Sequence, residues 1–147
     1  LLYLLDVVLL KLELPEVRAA IKAEDRRDKP ALIVIDERGV GMGLVQELWR
    51  EGYRHLEGST ATEDPIEREG KTPSRPGSSK IDRFGRAVLA IAEGRIVIPD
   101  EAPWLERFLY EVASFPNIPD KDQVDSMCQI VANVDLAIRR ARHNARR

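Results

Sequence analysis

The chain has 147 residues, 44% of them apolar and only 5% aromatic, with 23 Lys and Arg against 25 Asp and Glu, which suits one domain of ordinary size with a buried core. A formal net charge of −2 excludes a globally basic nucleic-acid coat, so any contact with a polyanion must come from a local patch. A single cysteine, Cys128, excludes a disulfide framework and a cysteine-rich zinc site, and His55 and His143 alone leave little for a histidine-based metal site.

The longest strongly apolar stretch, Leu1 to Leu10, is interrupted by Asp6 and falls far short of the roughly 20 residues that span a bilayer, so no membrane segment is expected. The start lacks Met and a basic n-region, and a chain opening on an apolar strand reads as a fragment of something longer. Leu1 to Val8 predicts a strand buried on both faces, running on toward Leu12. Pro15 suits the first turn of a helix carrying Val17, Ala20, Ile21 and Ala23 inward, with Asp25 to Lys29 as a polar exit and Pro30 as its end. The uninterrupted β-branched run Ala31 to Ile35 predicts a central strand, stopping at Asp36-Glu37.

A turn with Gly39, Gly41 and Gly43 leads into a helix bearing Leu44, Val45, Leu48 and Trp49 and ended by Gly52, and Tyr53 to Leu56 predicts another short strand. Gly58 to Ser79 is dominated by Gly, Pro, Ser and Thr and predicts a flexible loop, with the hypothesis that it orders over a nucleic acid. A helix follows from about Ser79 to Glu93, with Ile81, Phe84, Val88, Leu89 and Ile91 inward and Gly94 as its stop. Arg95 to Pro99 predicts a brief strand. Ala102 to Val112 predicts a helix with Trp104, Leu105, Phe108 and Leu109 on one side. The last helix begins near Asp120 and carries Val124, Met127, Cys128, Val131, Val134 and Ile138 at steps of three and four. Strands interleaved with helices predict a single α/β domain over residues 1–147, a mixed sheet with helices on both faces.

Two acidic constellations stand out. Asp36 and Glu37 lie where a buried strand ends, the usual functional edge of an α/β sheet, and alternation sends them to opposite sides. The plainer alternative is a pair of solvated acids before a glycine turn. Asp120, Asp122 and Asp125 open the last helix, with Asp122 and Asp125 on neighbouring positions roughly opposite the Val124, Met127, Val131 stripe. Capping and the helix dipole account for acids there as well. Taken together, an oxygen-rich, histidine-poor set suits hard ions such as Mg²⁺ or Mn²⁺, whose common task is in-line displacement at phosphorus with two metals about 4 Å apart.

The stretch Ala31-Leu-Ile-Val-Ile-Asp-Glu-Arg-Gly-Val-Gly-Met-Gly-Leu-Val-Gln-Glu-Leu48 resembles the strand, acidic turn and helix of the C-terminal nuclease domain of tailed-phage terminase large subunits. Arg83 to Pro99, with its Glu93-Gly94-Arg95-Ile96 turn, resembles the next helix and strand of that family. Trp104-Leu-Glu-Arg-Phe-Leu109, Phe115-Pro-Asn117 and Asp122-Gln-Val-Asp-Ser126 resemble its closing segment.

The resemblance implies a ribonuclease-H-like fold and a two-metal-ion endonuclease that cuts concatemeric phage DNA during packaging in the host cytoplasm. Asp36, Asp122 and Asp125 would be the catalytic metal ligands, with Glu37 and Asp120 in reserve. The implied partners are double-stranded DNA, a packaging ATPase domain, the portal and the small terminase subunit. Two departures stand beside it. The family opens with a strand bearing the first metal-binding Asp, whereas Leu1 to Val8 matches its second strand, with Asp6 a proposed substitute. The family's His-Asp-Asp is here Asp120-Lys121-Asp122. A non-catalytic DNA- or portal-binding module of the same fold, and another ribonuclease-H-like nuclease such as a junction resolvase, are the alternatives.

Arg139, Arg140, Arg142, Arg146 and Arg147 form a tail without acids that can neutralise phosphates or merely suit the helix end. Lys80, Arg83 and Arg86, three apart, can lie on one side of their helix and meet a DNA backbone, or form a solvated face. Gly70-Lys71-Thr72 is not a P-loop, because Pro65 replaces the earlier glycine and Pro73 obstructs the helix. Gly39, Gly41 and Gly43 lack the dinucleotide spacing and instead permit a tight turn beside Asp36. Cys128, Trp49 and Trp104 read as core residues.

Overall fold

The computed structural model describes residues 1–59 and 80–145, without the side chains of residues 80–82. The elements run β1 (Leu2–Tyr3), α1 (Leu14–Asp28), β2 (Ile33–Asp36), α2 (Gly41–Arg50), β3 (Leu56–Ser59), α3 (Lys80–Ala92), β4 (Ile96–Val97), α4 (Leu105–Ser114) and α5 (Asp122–Asn144). The chain is α/β. Among the described residues the strands form two separate parallel pairs, β1 with β4 and β2 with β3, in place of the expected mixed sheet. Each pair joins strands whose connection contains at least one helix, and such a crossover leaves them running the same way. No helix among the described residues is long and apolar enough to cross a membrane.

Contacts divide the chain into two compact units, one drawn from Leu1–Leu10 and Thr62–Ala132, the other from Lys11–Ala61 and Asn133–Arg147. In this second unit α1 starts where its sequence says it should. Glu13 and Glu16 form a reciprocal capping box with Pro15 in the first turn, and Lys29 closes the helix in the left-handed conformation, its N–H donating to the Asp25 carbonyl. The β2-α2-β3 crossover pairs Ile33 with Leu56 through Asp36 with Ser59. Leu44, Val45 and Leu48 from α2 and Leu56 from β3 form the core, with Val17, Ile21, Ile33, Ile35 and Tyr53 packed on it. Trp49 is not a core anchor. It is 42% exposed and is held by its indole N–H, which donates to the Leu56 carbonyl at 3.1 Å.

The first unit gathers Ala87, Phe108, Val124, Met127 and Cys128, with Phe84, Ile96, Trp104, Phe115 and Val131 against them. Phe84 and Phe115 have ring centroids 4.0 Å apart, and Trp104 meets Phe108 edge-on at 5.8 Å. The expected strand over Leu1 to Val8 shrinks to Leu2–Tyr3, because the ladder it joins is only two residues long, and Leu1, Tyr3 and Leu5 are exposed.

Helix α3 turns Phe84 to the core as expected, but the rest of its inward face differs from the expected one. Ala87 and Ala90 are buried while Val88, Leu89 and Ile91 are exposed, since the small residues let this face pack closely. Leu109 and Ile138, also expected inward, are exposed. The strand expected at Tyr53 to Leu56 begins only at Leu56, because Tyr53 and Arg54 donate back to Leu48 and Gly52 in a turn. Gly58 and Ser59, expected in the loop, complete β3, and residues 60–79 of that loop lie outside the described residues.

Candidate functional site

Asp36 is the last residue of β2. Its Oδ1 accepts the backbone N–H of Arg38 at 3.0 Å, the turn that an aspartate makes with the residue two ahead. The Arg38 side chain returns to the same carboxylate, with Nε 3.0 Å from Oδ1 and 2.9 Å from Oδ2 and with Nη2 also on Oδ2. Both oxygens are therefore engaged by a planar fork that matches their geometry. A cation arriving at Asp36 must compete with that guanidinium.

The glycines explain how the strand end is built. A Cβ at Gly41 falls 1.7 Å from the Asp36 carbonyl oxygen, so only glycine lets the first residue of α2 approach the end of β2 this closely. Gly39, at φ +60°, turns the chain between them. A Cβ at Gly58 falls 2.2 Å from Glu37 Oε1, so the Glu37 side chain lies over the bare backbone of β3. The expected divergence of the two acids thus ends with Asp36 on Arg38 and Glu37 against Gly58.

At α5, Asp122 opens the helix and is exposed, as is Asp120 before it. Asp125 is 8% exposed and does not lie opposite the core. The buried arc of α5 is wider than the apolar stripe and takes in Gln123, Asp125 and Gln129 beside Val124, Met127 and Cys128. A residue that pattern reading passed over joins them. Glu111 of α4, 3% exposed, accepts the Val124 N–H on Oε1 and the Gln123 side-chain amide on Oε2, both at 2.9 Å. It takes up one of the first-turn N–H groups of α5, and the positive end of the helix dipole favours its charge.

Asp36, Asp122 and Asp125 are hard oxygen donors, the type that suits Mg²⁺ or Mn²⁺. Asp36 belongs to the second unit, Asp120, Asp122 and Asp125 to the first. Among the described residues, no group of three or more His, Cys, Asp or Glu side chains is placed to hold a metal ion. The donor chemistry fits a hard cation, but the described side chains do not gather as a ready-made cage.

Of the cations expected to meet DNA, Arg83 is 5% exposed and faces inward with Ala87 and Ala90, one turn apart on α3, so it is no surface contact. Arg86, Arg139 and Arg142 are exposed. The side chain of Lys80, like that of Ile81, lies outside the described residues, as do Arg146 and Arg147.

Arg140 is part-buried, its Nη2 donating to Glu57 Oε2 at 2.8 Å. Together with Lys29, Arg54, His55, Arg139 and His143 it lines an open cleft of about 800 Å³ in the second unit. His55 Nε2 sits 2.6 Å from Asp25 Oδ1 on its wall. The sequence marks the arginines of α5. It carries no signal that Lys29 and Arg54, far away along the chain, meet them.

Comparison of the chain with protein-family models, with curated proteins and with solved structures finds no match.

Proposed function

We propose that this chain is a ribonuclease-H-like, metal-dependent DNA endonuclease domain similar to the C-terminal nuclease of tailed-phage terminase large subunits, cutting concatemeric DNA as a genome is packaged. The observation that carries this reading is Asp36: a carboxylate at the C-terminal end of a parallel strand, in a β2-α2-β3 crossover where Gly41 lets the start of α2 approach the Asp36 backbone closely. The acids of α5 supply further hard oxygens. In the proposal Asp36, Asp122 and Asp125 hold the metal ions, with Glu37 and Asp120 in reserve. Bound Mg²⁺ or Mn²⁺ supplies an activated water and neutralises charge on the phosphodiester.

This chain's residues contribute the rest. Arg38 orients the Asp36 carboxylate through its guanidinium. Gly41 fixes where the Asp36 backbone sits. Arg86, Arg139, Arg140 and Arg142 supply phosphate contacts that hold duplex DNA without reading its sequence. Partners follow the same proposal: a packaging ATPase domain, the portal and the small terminase subunit, acting in the host cytoplasm.

The test is cleavage of supercoiled plasmid in Mn²⁺. Losing a metal ligand removes several kcal/mol of charge stabilisation, so Asp36→Ala is expected to slow cleavage about a hundredfold or more. Cleavage by the variant at the wild-type rate overturns the assignment. The Arg38 fork on Asp36, with no group of three metal-ligating side chains gathered among the described residues, favours a second reading: a DNA- or portal-binding module of the same fold without cleavage. Metal-independent DNA binding with no nicking supports that module. Preference for four-way junctions over linear duplex supports a junction resolvase instead.

A further inference from the structure

We infer that the cationic cleft of the second unit is a binding site for backbone phosphates of double-stranded DNA. Three separate segments build it: the end of α1 with Lys29, the turn between α2 and β3 with Arg54 and His55, and the last turns of α5 with Arg139, Arg140 and His143. With histidines neutral, the lining carries a formal charge of plus three, in a chain whose net charge is −2. The one acid of the lining among the described residues, Asp25, is already engaged by His55 at 2.6 Å.

The ordinary explanation for cations at a helix C-terminus is the dipole, and it covers Lys29, Arg139 and His143. It does not cover Arg54, which lies in a turn ahead of a strand. Nor does it account for Arg140, whose Nη2 is held by Glu57 while Nη1 is buried with no acceptor among the described residues. A part-buried guanidinium held by its own ion pair with one donor nitrogen still unmatched, on a wall rich in further cations, is the arrangement that takes an anionic oxygen. The cleft is open and about 800 Å³, broad for a single small anion and suited to a backbone that passes through. Phosphate contacts of this kind fix register and orientation and carry no sequence preference.

The site shares with the proposed function its DNA partner and two phosphate contacts, Arg139 and Arg140, but adds Lys29 and Arg54, and its test needs no cleavage. Binding of a short fluorescent duplex to the full chain is followed by anisotropy in EDTA, across a range of salt. Lys29→Gln and Arg54→Gln, both at exposed positions, are compared with Arg50→Gln, an exposed arginine that does not line the cleft. Each phosphate contact contributes about 0.9 to the salt slope, so each cleft variant is expected to lower that slope by about one and to weaken binding several-fold, equally for unrelated sequences.

The Arg50→Gln variant is expected to bind as wild type. Inorganic phosphate at millimolar levels is expected to compete weakly. Unchanged slopes in both cleft variants, an equal loss in Arg50→Gln, or tight binding of inorganic phosphate without binding of duplex overturns the inference. Loss of plasmid cleavage with these binding results intact bears on the nuclease reading alone.

Discussion

Asp36 meets two demands that pull against each other. It ends a parallel strand where a reactive acid is useful, and it is already neutralised by the guanidinium two residues along. The pair is partly exposed, 27% on the aspartate side and 44% on the arginine, so water screens it and its worth is about 0.5–1 kcal/mol. Removing the fork with Arg38→Ala is therefore expected to cost at most about 1 kcal/mol of stability in urea unfolding. If Asp36 ligates metal, the same variant lowers the Mn²⁺ concentration for half-maximal cleavage by about two- to fivefold, the competition energy converted to a binding ratio. A midpoint that rises instead means that Arg38 assists the metal rather than competing with it, and the assignment of the fork as a competitor fails.

Among the elements, α5 depends on a residue that belongs to another helix. Glu111 reaches from α4 to the first turn of α5 and satisfies the Val124 N–H and the Gln123 amide inside the first unit. Truncating it leaves two buried donors without acceptors. Glu111→Ala is expected to destabilise the protein by about 2–3 kcal/mol, and Glu111→Gln by less, because one amide oxygen can still accept the backbone N–H. Urea unfolding midpoints of the two variants check this order. Equal, negligible shifts mean that the buried carboxylate does not secure α5.

The same helices show what pattern reading can reach. The β-branched run before Asp36 and the left-handed glycines after α2 and α3 are local features, so strand β2 and those two helix stops were legible from the chain. The inward face of α3 was not. Its buried positions are alanines and an arginine, whereas Val88 and Leu89 carry the stronger hydrophobic signal yet are exposed. Glu111 was missed because a carboxylate on an amphipathic helix ordinarily marks the wet side, and its acceptor role exists only once α5 is in place.

For the whole molecule, the acidic residues of the proposed site are divided between the two compact units, Asp36 in one and Asp122 and Asp125 in the other. Each was legible as a chemical type, but no single segment of sequence fixes whether they act on the same ions, because that depends on tertiary arrangement rather than on spacing. Paramagnetic Mn²⁺ decides the question in solution. Two ions about 4 Å apart, held jointly as the nuclease reading requires, broaden the amide signals near Asp36 and those near Asp122 and Asp125 over one concentration range. Asp36→Ala then weakens the effect at the start of α5 as well as at the end of β2, since a shared ion that loses one ligand is lost to all of them. If the α5 signals respond to Mn²⁺ as before in that variant, the two sets of acids bind independently. The joint site is then abandoned in favour of the non-cleaving module, whose contact with DNA does not need a metal.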